Sequence, residues 1–199
     1  MSKAGCRIRP ERRARPLVRL ALALALAWLS TGAVRAADAP PEPDGYRLDD
    51  YRGGTPRTVL GRDALDTDEA HRLWETRAAT FVDVLPAPRR PENLPATAVW
   101  APRPHRSIPG SIWLPDAGRG ALSPELEAQF RKMLGEATSG DRHAALVFYC
   151  LADCWMSWNA TRRAAEWGYD GARWYRDGTD GWSAAGFPLV EVKPWPERG

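Results

Sequence analysis

The chain has 199 residues, with 28 Lys and Arg against 25 Asp and Glu. The excess of basic residues is confined to one end, because eight of the basic residues and only one acidic residue lie within residues 1–36. Residues 37–199 therefore carry a net charge of −4, which gives no indication of a nucleic-acid-binding surface. These 163 residues fit one domain with a sizeable core.

Residues 1–36 have the layout of a secretory signal peptide. A basic start rich in arginine precedes an apolar run over residues 20–29, and small residues then favour cleavage between Ala36 and Ala37. The apolar run is about ten residues long, half of the ~20 that a membrane-spanning helix needs. We therefore expect a periplasmic protein with no stable membrane span after cleavage; an uncleaved anchor is the alternative.

Export also determines the cysteine chemistry. Cys6 would leave with the signal peptide, so Cys150 and Cys154 are the cysteines that reach an oxidising compartment.

The first half of the mature chain predicts an extended arm and then alternating strands and helices. Residues 37–57 are rich in Pro, Gly, Asp and Arg and indicate an arm or linker, and residues 58–60 a short strand. Asp66 with Glu69 forms a capping-box pattern ahead of an amphipathic helix. A strand is expected at 81–85, then a proline-rich loop at 86–107 with a brief strand at 98–100.

The second half continues the alternation. Strands are predicted at 112–114, 144–149 and 172–175, with helices starting at Ser123-Pro124 and spanning 157–167 and 178–185 before a proline-rich tail at 191–199. Strands that alternate with helices indicate an α/β fold around a mostly parallel sheet. Functional groups gather at the carboxyl ends of such strands, and Cys150 directly follows the most apolar one.

Three segments resemble the rhodanese family. Residues 81–84 (FVDV) are similar to its first strand, residues 108–115 (IPGSIWLP) to its "IPGAxxIP" segment, and Gly178, Trp182, Gly186 and Pro188 to its "GxxxWxxxGxP" ending. The resemblance covers residues 58–190. It implies a three-layer α/β domain with about five sheet strands, with Cys150 as the sulfur-carrying cysteine and Ser157 closing its loop.

A narrower resemblance concerns the cysteine loop. Residues 148–159 (FYCLADCWMSWN) are similar to the signature of the PQQ-dependent catabolism-associated CXXCW motif proteins, with three residues rather than two between the cysteines. This implies an accessory role in alcohol oxidation by quinoproteins. The implied partners are a periplasmic quinoprotein dehydrogenase or a cytochrome c, and redox-cofactor handling is implied as well.

Some positions depart from ordinary rhodaneses. The arginine of the family's first strand is Leu85 here, the histidine before "IPGA" is Ser107 with His105 two residues earlier, and Met156 replaces a loop arginine. The loop is also one residue longer by this alignment. These changes remove positive charge near the sulfur and argue against turnover of thiosulfate.

The pair of cysteines predicts thiol chemistry. A loop of backbone N–H groups leading into a helix stabilises a thiolate, so Cys150 is the expected nucleophile and Cys154 the resolving partner. The other expected site residues line or belong to the same loop: Leu151, Ala152, Asp153, Trp155, Met156, Ser157, Asp83 and His105.

Several alternatives stay open at this point. The cysteines could form an inert structural disulfide, or bind copper as soft ligands with help from Met156 or a histidine. The domain could also be a non-catalytic module that docks on a dehydrogenase or cytochrome. Covalent haem is excluded because Trp155 stands where the attachment motif needs His. Asp83 favours a paired, structural carboxylate, and Trp155 with Trp158 favours core packing over a docking face.

Overall fold

A computed structural model describes residues 39–196 of the chain. Its centre is a parallel sheet in the order β5-β3-β6-β7, formed by β3 (Thr80–Asp83), β5 (Ile112–Trp113), β6 (Leu146–Tyr149) and β7 (Ala172–Trp174). Every residue of β6 is buried, as expected for a central parallel strand covered on both faces. The α/β fold with a parallel sheet is therefore confirmed.

The sheet has four strands among the described residues, where about five were predicted. The missing strand is at 58–60, because β1 (Thr58–Val59) folds back onto β2 (Arg62–Asp63) as an antiparallel hairpin. Leu60 and Gly61 both have positive φ angles, of 51° and 71°, which is the geometry of a tight two-residue hairpin turn. Along the outer edge of the sheet, on the side of β7 that faces away from β6, the described residues pair only through a single bridge between Leu65 and Tyr175.

The proline-rich loop also differs from the prediction. No strand forms at residues 98–100, because the flanking prolines lack the N–H groups that strand pairing requires. Downstream of it, β4 (Arg106–Ser107) pairs with β8 (Val190–Glu191) as a separate antiparallel ribbon.

Four helices flank the sheet in the described chain: α1 (Thr67–Glu75), α2 (Pro124–Ala137), α3 (Trp155–Glu166) and α4 (Gly178–Ala184). The predicted capping box is present, since the Glu69 N–H donates to Asp66 Oδ1 at 2.7 Å and the Asp66 N–H donates to Glu69 Oε2 at 3.1 Å. Helix α2 begins at its predicted cap, Ser123.

The helices cover opposite faces of the sheet. Val82 and Phe148 pack with α2 and α3 on one face, whereas Phe81 and Val147 pack with α1 and α4 on the other. Trp174 and Trp182 are fully buried and pack in the core.

No helix within residues 39–196 is long and apolar enough to cross a membrane. The predicted signal peptide and Cys6 lie outside the described residues.

Candidate functional site

The two cysteines meet at the carboxyl end of the central strand. Cys150 is the first residue after β6, Cys154 is the residue before α3, and a disulfide joins them with their Cα atoms 6.3 Å apart. The two sulfurs therefore lie side by side, as a nucleophile and its resolving partner require. Helix α3 starts at Trp155, two residues earlier than predicted, and this places Cys154 at its N-cap.

Cys150 is held from the side of α4. Its carbonyl accepts a hydrogen bond from the Thr179 N–H at 2.9 Å. Gly178 approaches this carbonyl so closely that an added Cβ would lie 2.3 Å from the oxygen, and its φ angle is 52°. A glycine is therefore required at this position, which accounts for the first glycine of the C-terminal motif.

The rest of the loop is held by short polar contacts. The Ala152 N–H donates to Asp180 Oδ2 at 3.1 Å, and Asp153 adopts a left-handed conformation with φ at 50°. Ser157 closes the loop as the resemblance implied: its hydroxyl donates to the Cys154 carbonyl at 3.1 Å and accepts from Trp174 Nε1 at 3.0 Å. Leu151 is half-buried and Asp153 is exposed.

The disulfide is buried and not open to solvent. Cys150 is 1% exposed and Cys154 is 2% exposed. Both cysteines belong to the main buried core cluster, and residues 42–53 of the arm form a strap that runs along α3 and over the cysteine loop. The Gly53 N–H donates to the Asp153 carbonyl at 3.0 Å, and the Trp155 N–H donates to the Tyr51 carbonyl at 2.9 Å.

Side chains of α3 fix the strap in place. Asn159 is fully buried: it accepts from the Arg47 N–H at 2.9 Å and donates to the carbonyls of Arg47 and Gly118 at 2.8 and 2.9 Å. Arg162 donates to the Pro43 carbonyl at 2.9 Å. Hydrogen bonds from one face of α3 therefore hold the strap in a single conformation, which an isolated linker would not have.

Tyr46 gives the strap a pH-dependent anchor. Its ring lies against the Arg163 guanidinium, 4.2 Å from Cζ to the ring centroid, and its hydroxyl donates to Glu166. Burial, with help from the hydrogen bond to Glu166, raises the pKa of Tyr46 to about 12.

We predict that this anchor is lost in alkali. Because the pKa of Tyr46 is raised on folding, the stabilisation is complete below the unfolded pKa and falls as the pH climbs towards 12. Above pH 10 the free energy of unfolding should fall less steeply with pH in Tyr46→Phe than in the wild type. The two slopes should differ by about 1 kcal/mol per pH unit, after allowance for the partial exposure of the side chain. Urea titrations across this range measure it. Equal slopes for wild type and Tyr46→Phe would contradict the prediction.

Asp83 and His105 form a network apart from the sulfurs. The buried Asp83 carboxylate accepts from the Leu85 N–H at 2.8 Å and from the Ser107 hydroxyl, and its Oδ2 lies 2.7 Å from His105 Nε2. Tyr149 OH lies 2.7 Å from Ser107 Oγ. The paired, structural interpretation of Asp83 is therefore confirmed, with a histidine rather than an arginine as partner.

Strand alternation places that network on the opposite face from the disulfide. Val82 and Val84 belong to the same buried cluster as both cysteines, whereas Tyr149 packs with Phe81 in the other. Asp83 lies between the two valines and so points to the Tyr149 side. A role for Asp83 or His105 in lining the cysteine site stays a prediction.

The aromatic residues of the loop pack inward. Trp155 is 6% exposed, and Trp158 and Met156 are also buried. The core interpretation of the two tryptophans is confirmed, and their use as a docking or cofactor face is wrong for this conformation.

The loop offers a copper ion no thiolate in this state, because both cysteine sulfurs are engaged in the disulfide. Copper binding by the reduced pair stays a prediction. Across residues 39–196, no group of three or more His, Cys, Asp and Glu side chains could hold a metal.

The strap is the feature of the site that sequence reasoning missed. A signal for it exists in α3, where polar Asn159, Arg162 and Arg163 recur on one face of a helix that is otherwise largely buried. Buried polar groups require partners, and here the strap and the loop at residues 117–120 supply them.

Comparison with known proteins agrees with this geometry. The model of the rhodanese-like domain matches residues 66–185, and the chain belongs to that family. No curated protein matches the sequence.

Solved structures similar to the chain include sulfur transferases. The thiosulfate sulfurtransferase from Pseudomonas aeruginosa is 22% identical with a TM-score of 0.43, over 66% of this chain and 20% of that one. The chain thus spans about a fifth of the length of that enzyme. The human single-domain sulfurtransferase TSTD1 is 22% identical with a TM-score of 0.37, over 61% and 95%. The polysulfide-sulfur transferase homodimer from Wolinella succinogenes is 18% identical with a TM-score of 0.40, over 68% and 83%.

Proposed function

We propose that this rhodanese-like protein carries out thiol–disulfide exchange through Cys150 and Cys154. One observation carries the proposal: a disulfide joins the residue that ends the central strand, where the resemblance puts the sulfur-carrying cysteine, to the N-cap of α3. Once reduced, a thiolate at this N-cap would be stabilised by the partial positive charge of the helix terminus.

A purely structural role explains the disulfide less well. The bond links residues only four positions apart. Closing so small a loop restricts the unfolded chain less than a 15-residue loop, for which the stabilisation is ~3 kcal/mol. The surrounding loop is in addition already held by Thr179, Asp180 and Ser157.

Reduction of the disulfide needs two electrons, which a partner protein with two thiols can supply. A thiolate of the partner attacks one sulfur of the Cys150–Cys154 bond, which breaks, and the displaced cysteine leaves as a thiolate and takes up a proton. The second thiol of the partner then loses its proton and attacks the sulfur of its own cysteine in the mixed disulfide. The chain is released as a dithiol and the partner as a disulfide, so two electrons have moved.

Persulfide chemistry requires this reduction first. A sulfur atom can be accepted only by a free thiolate, and both sulfurs are engaged in the disulfide. Sulfur transfer by this chain would therefore begin from the reduced form.

The biological setting is proposed from the motif. The likeness of residues 148–159 to the CXXCW signature supports a periplasmic accessory role in PQQ-dependent alcohol catabolism, with a quinoprotein dehydrogenase or cytochrome c as partner. The layout of residues 1–36 supports export.

One observation favours a second candidate, a non-catalytic docking module. Both cysteines are almost fully buried, which protects the disulfide from other molecules. In such a module the loop would keep its shape throughout, and the disulfide would stay oxidised.

Reaction with reduced thioredoxin, used as a protein dithiol probe, separates the two candidates. The mature chain is mixed with the probe under native conditions, quenched with an alkylating reagent and weighed by mass spectrometry. Exchange predicts that two alkyl groups appear on the chain without denaturant. Alkylation only after unfolding would overturn the proposal and support the docking module.

Thiosulfate should be a poor substrate. Leu85 and Met156 stand where the family carries arginines, and the strap covers the loop, so neither charge nor space favours a small dianion. We predict little or no thiocyanate from thiosulfate and cyanide, even after reduction of the disulfide. Robust turnover by the reduced protein would contradict this prediction.

A further inference from the structure

The strap meets the cysteine loop as an extended polypeptide pairs with a strand. Arg52 lies opposite Cys154 in an antiparallel bridge. The bridge consists of the Gly53 N–H on the Asp153 carbonyl and the Trp155 N–H on the Tyr51 carbonyl. Arg52 and Cys154 exchange no bond themselves, and such pairs bring their side chains closest together. A residue in the register of Arg52 is therefore the nearest strap neighbour of Cys154.

This part of the strap pairs with the loop through its backbone. Arg52, Gly53 and Gly54 are exposed, whereas the half-buried Tyr51 packs against the core and its hydroxyl accepts from the Gly120 N–H. The side-chain anchors at Arg47 and Pro43 lie several residues earlier and restrain the same segment. Lifting residues 51–53 would release Tyr51 and uncover the Asp153 carbonyl and the Trp155 N–H.

The two cysteines are not equivalent with respect to this segment. Cys150 is held from the other side, where its carbonyl accepts the Thr179 N–H and Gly178 packs tightly against it. Cys154 has extended backbone angles, with φ at −115° and ψ at 111°, and it pairs with the strap. The sulfur that an incoming chain meets first is that of Cys154.

We propose that a cysteine-bearing, extended segment of a partner protein replaces strap residues 51–53 and exchanges with Cys154. This rests on the thiol–disulfide function proposed above and names its substrate class, an unstructured or strand-like protein segment rather than a small thiol. The segment pairs with the Asp153 carbonyl and the Trp155 N–H and carries its cysteine in the register of Arg52.

In this step the partner thiolate attacks Sγ of Cys154. The Cys150–Cys154 bond breaks, and Cys150 leaves as a thiolate and takes up a proton. The partner's second thiolate then attacks the partner's sulfur in the mixed disulfide, which releases Cys154. These roles are the reverse of those expected from the sequence, where Cys150 is the attacking sulfur.

Two single-cysteine chains test which sulfur exchanges. Cys150→Ser keeps Cys154, and Cys154→Ser keeps Cys150. The probe is a thioredoxin in which serine replaces the resolving cysteine. Its remaining cysteine is activated as a disulfide with thionitrobenzoate, and each variant is mixed with this probe. Release of thionitrobenzoate reports the mixed disulfide. We expect Cys150→Ser to react at least about tenfold faster than Cys154→Ser, because Cys154 lies beside the exchange surface.

The outcomes are distinguishable. A faster Cys154→Ser chain would overturn this inference and leave the thiol–disulfide function standing. Failure of both chains to react would refute that function as well.

A strap variant tests whether the partner takes the place of the strap. In the Cys150→Ser chain, Gly53→Pro removes the N–H that pairs with Asp153 and cannot adopt the glycine φ of 155°. The rate with the thioredoxin probe should then rise about fivefold or more. Gly54→Ala is the matched control, because its added Cβ meets only the Pro40 Cδ atom at 3.8 Å. A Gly53→Pro rate equal to that of the control would overturn the inference.

Discussion

Asp83→Ala is expected to lower the free energy of unfolding by about 3 kcal/mol or more, because each buried donor left without an acceptor costs about 1–3 kcal/mol. The substitution leaves the Leu85 N–H, the Ser107 hydroxyl and His105 Nε2 without their common acceptor in a fully buried position. Unfolding in urea measures the loss directly. In a thermal melt it corresponds to a fall in midpoint of roughly 10 °C for a domain of this size.

Two controls make this result specific. Asp83→Asn keeps one oxygen acceptor and the size of the side chain, so it should cost less than Asp83→Ala. Asp49→Ala removes a carboxylate that is 83% exposed and should change stability by less than about 0.5 kcal/mol. A stable Asp83→Ala chain that no longer exchanges with thioredoxin would contradict the structural role and return Asp83 to the reacting site.

Asn159→Ala is expected to speed reduction of the disulfide by about tenfold or more, since each 1.36 kcal/mol lost from closing the strap is a factor of ten in its open population. The amide makes three hydrogen bonds, two to Arg47 in the strap and one to Gly118. Without it the strap opens more often and thioredoxin reaches the sulfurs. Alkylation followed by mass spectrometry at successive times gives the rate.

The control for this variant lies on the same helix. Thr161→Val removes a buried hydroxyl that donates to the Ser157 carbonyl at 2.8 Å and is not bonded to the strap. It should cost stability without a comparable gain in reduction rate. If both variants were reduced equally fast, general loosening rather than the strap would control access.

The elements that the sequence predicted well are those specified by local chemistry. The capping box of Asp66 and Glu69 fixes the start of α1, and the apolar run of β6 can be satisfied only in the middle of a sheet. The position of Cys150 follows from that strand, because the residue after a central parallel strand lies at the edge where sites form.

The features that could not be predicted depend on contacts distant in sequence. The sequence of the strap indicates a linker because it is rich in Pro, Gly, Asp and Arg, and its partners on α3 lie more than a hundred positions away. The early start of α3 has the same origin. Cys154 is not a favoured N-cap residue, but the disulfide and the bridge to Arg52 hold it in the extended conformation that an N-cap requires.

The burial of the sulfurs shows the limit of placing a site from a strand alone. Strand order put Cys150 and Cys154 at the correct edge of the sheet, but exposure there is decided by whichever segment crosses the edge. In this protein a segment that precedes the first strand crosses it.

The reduction potential of the Cys150–Cys154 bond is the most direct test of the account. The mature chain is equilibrated in glutathione buffers of graded ratio under native conditions, and the oxidised fraction is read by alkylation and mass spectrometry. A disulfide made for exchange predicts reversible equilibration with a potential above about −300 mV, since structural disulfides typically lie below that value. A lower potential, or reduction that occurs only when the domain unfolds, would contradict it.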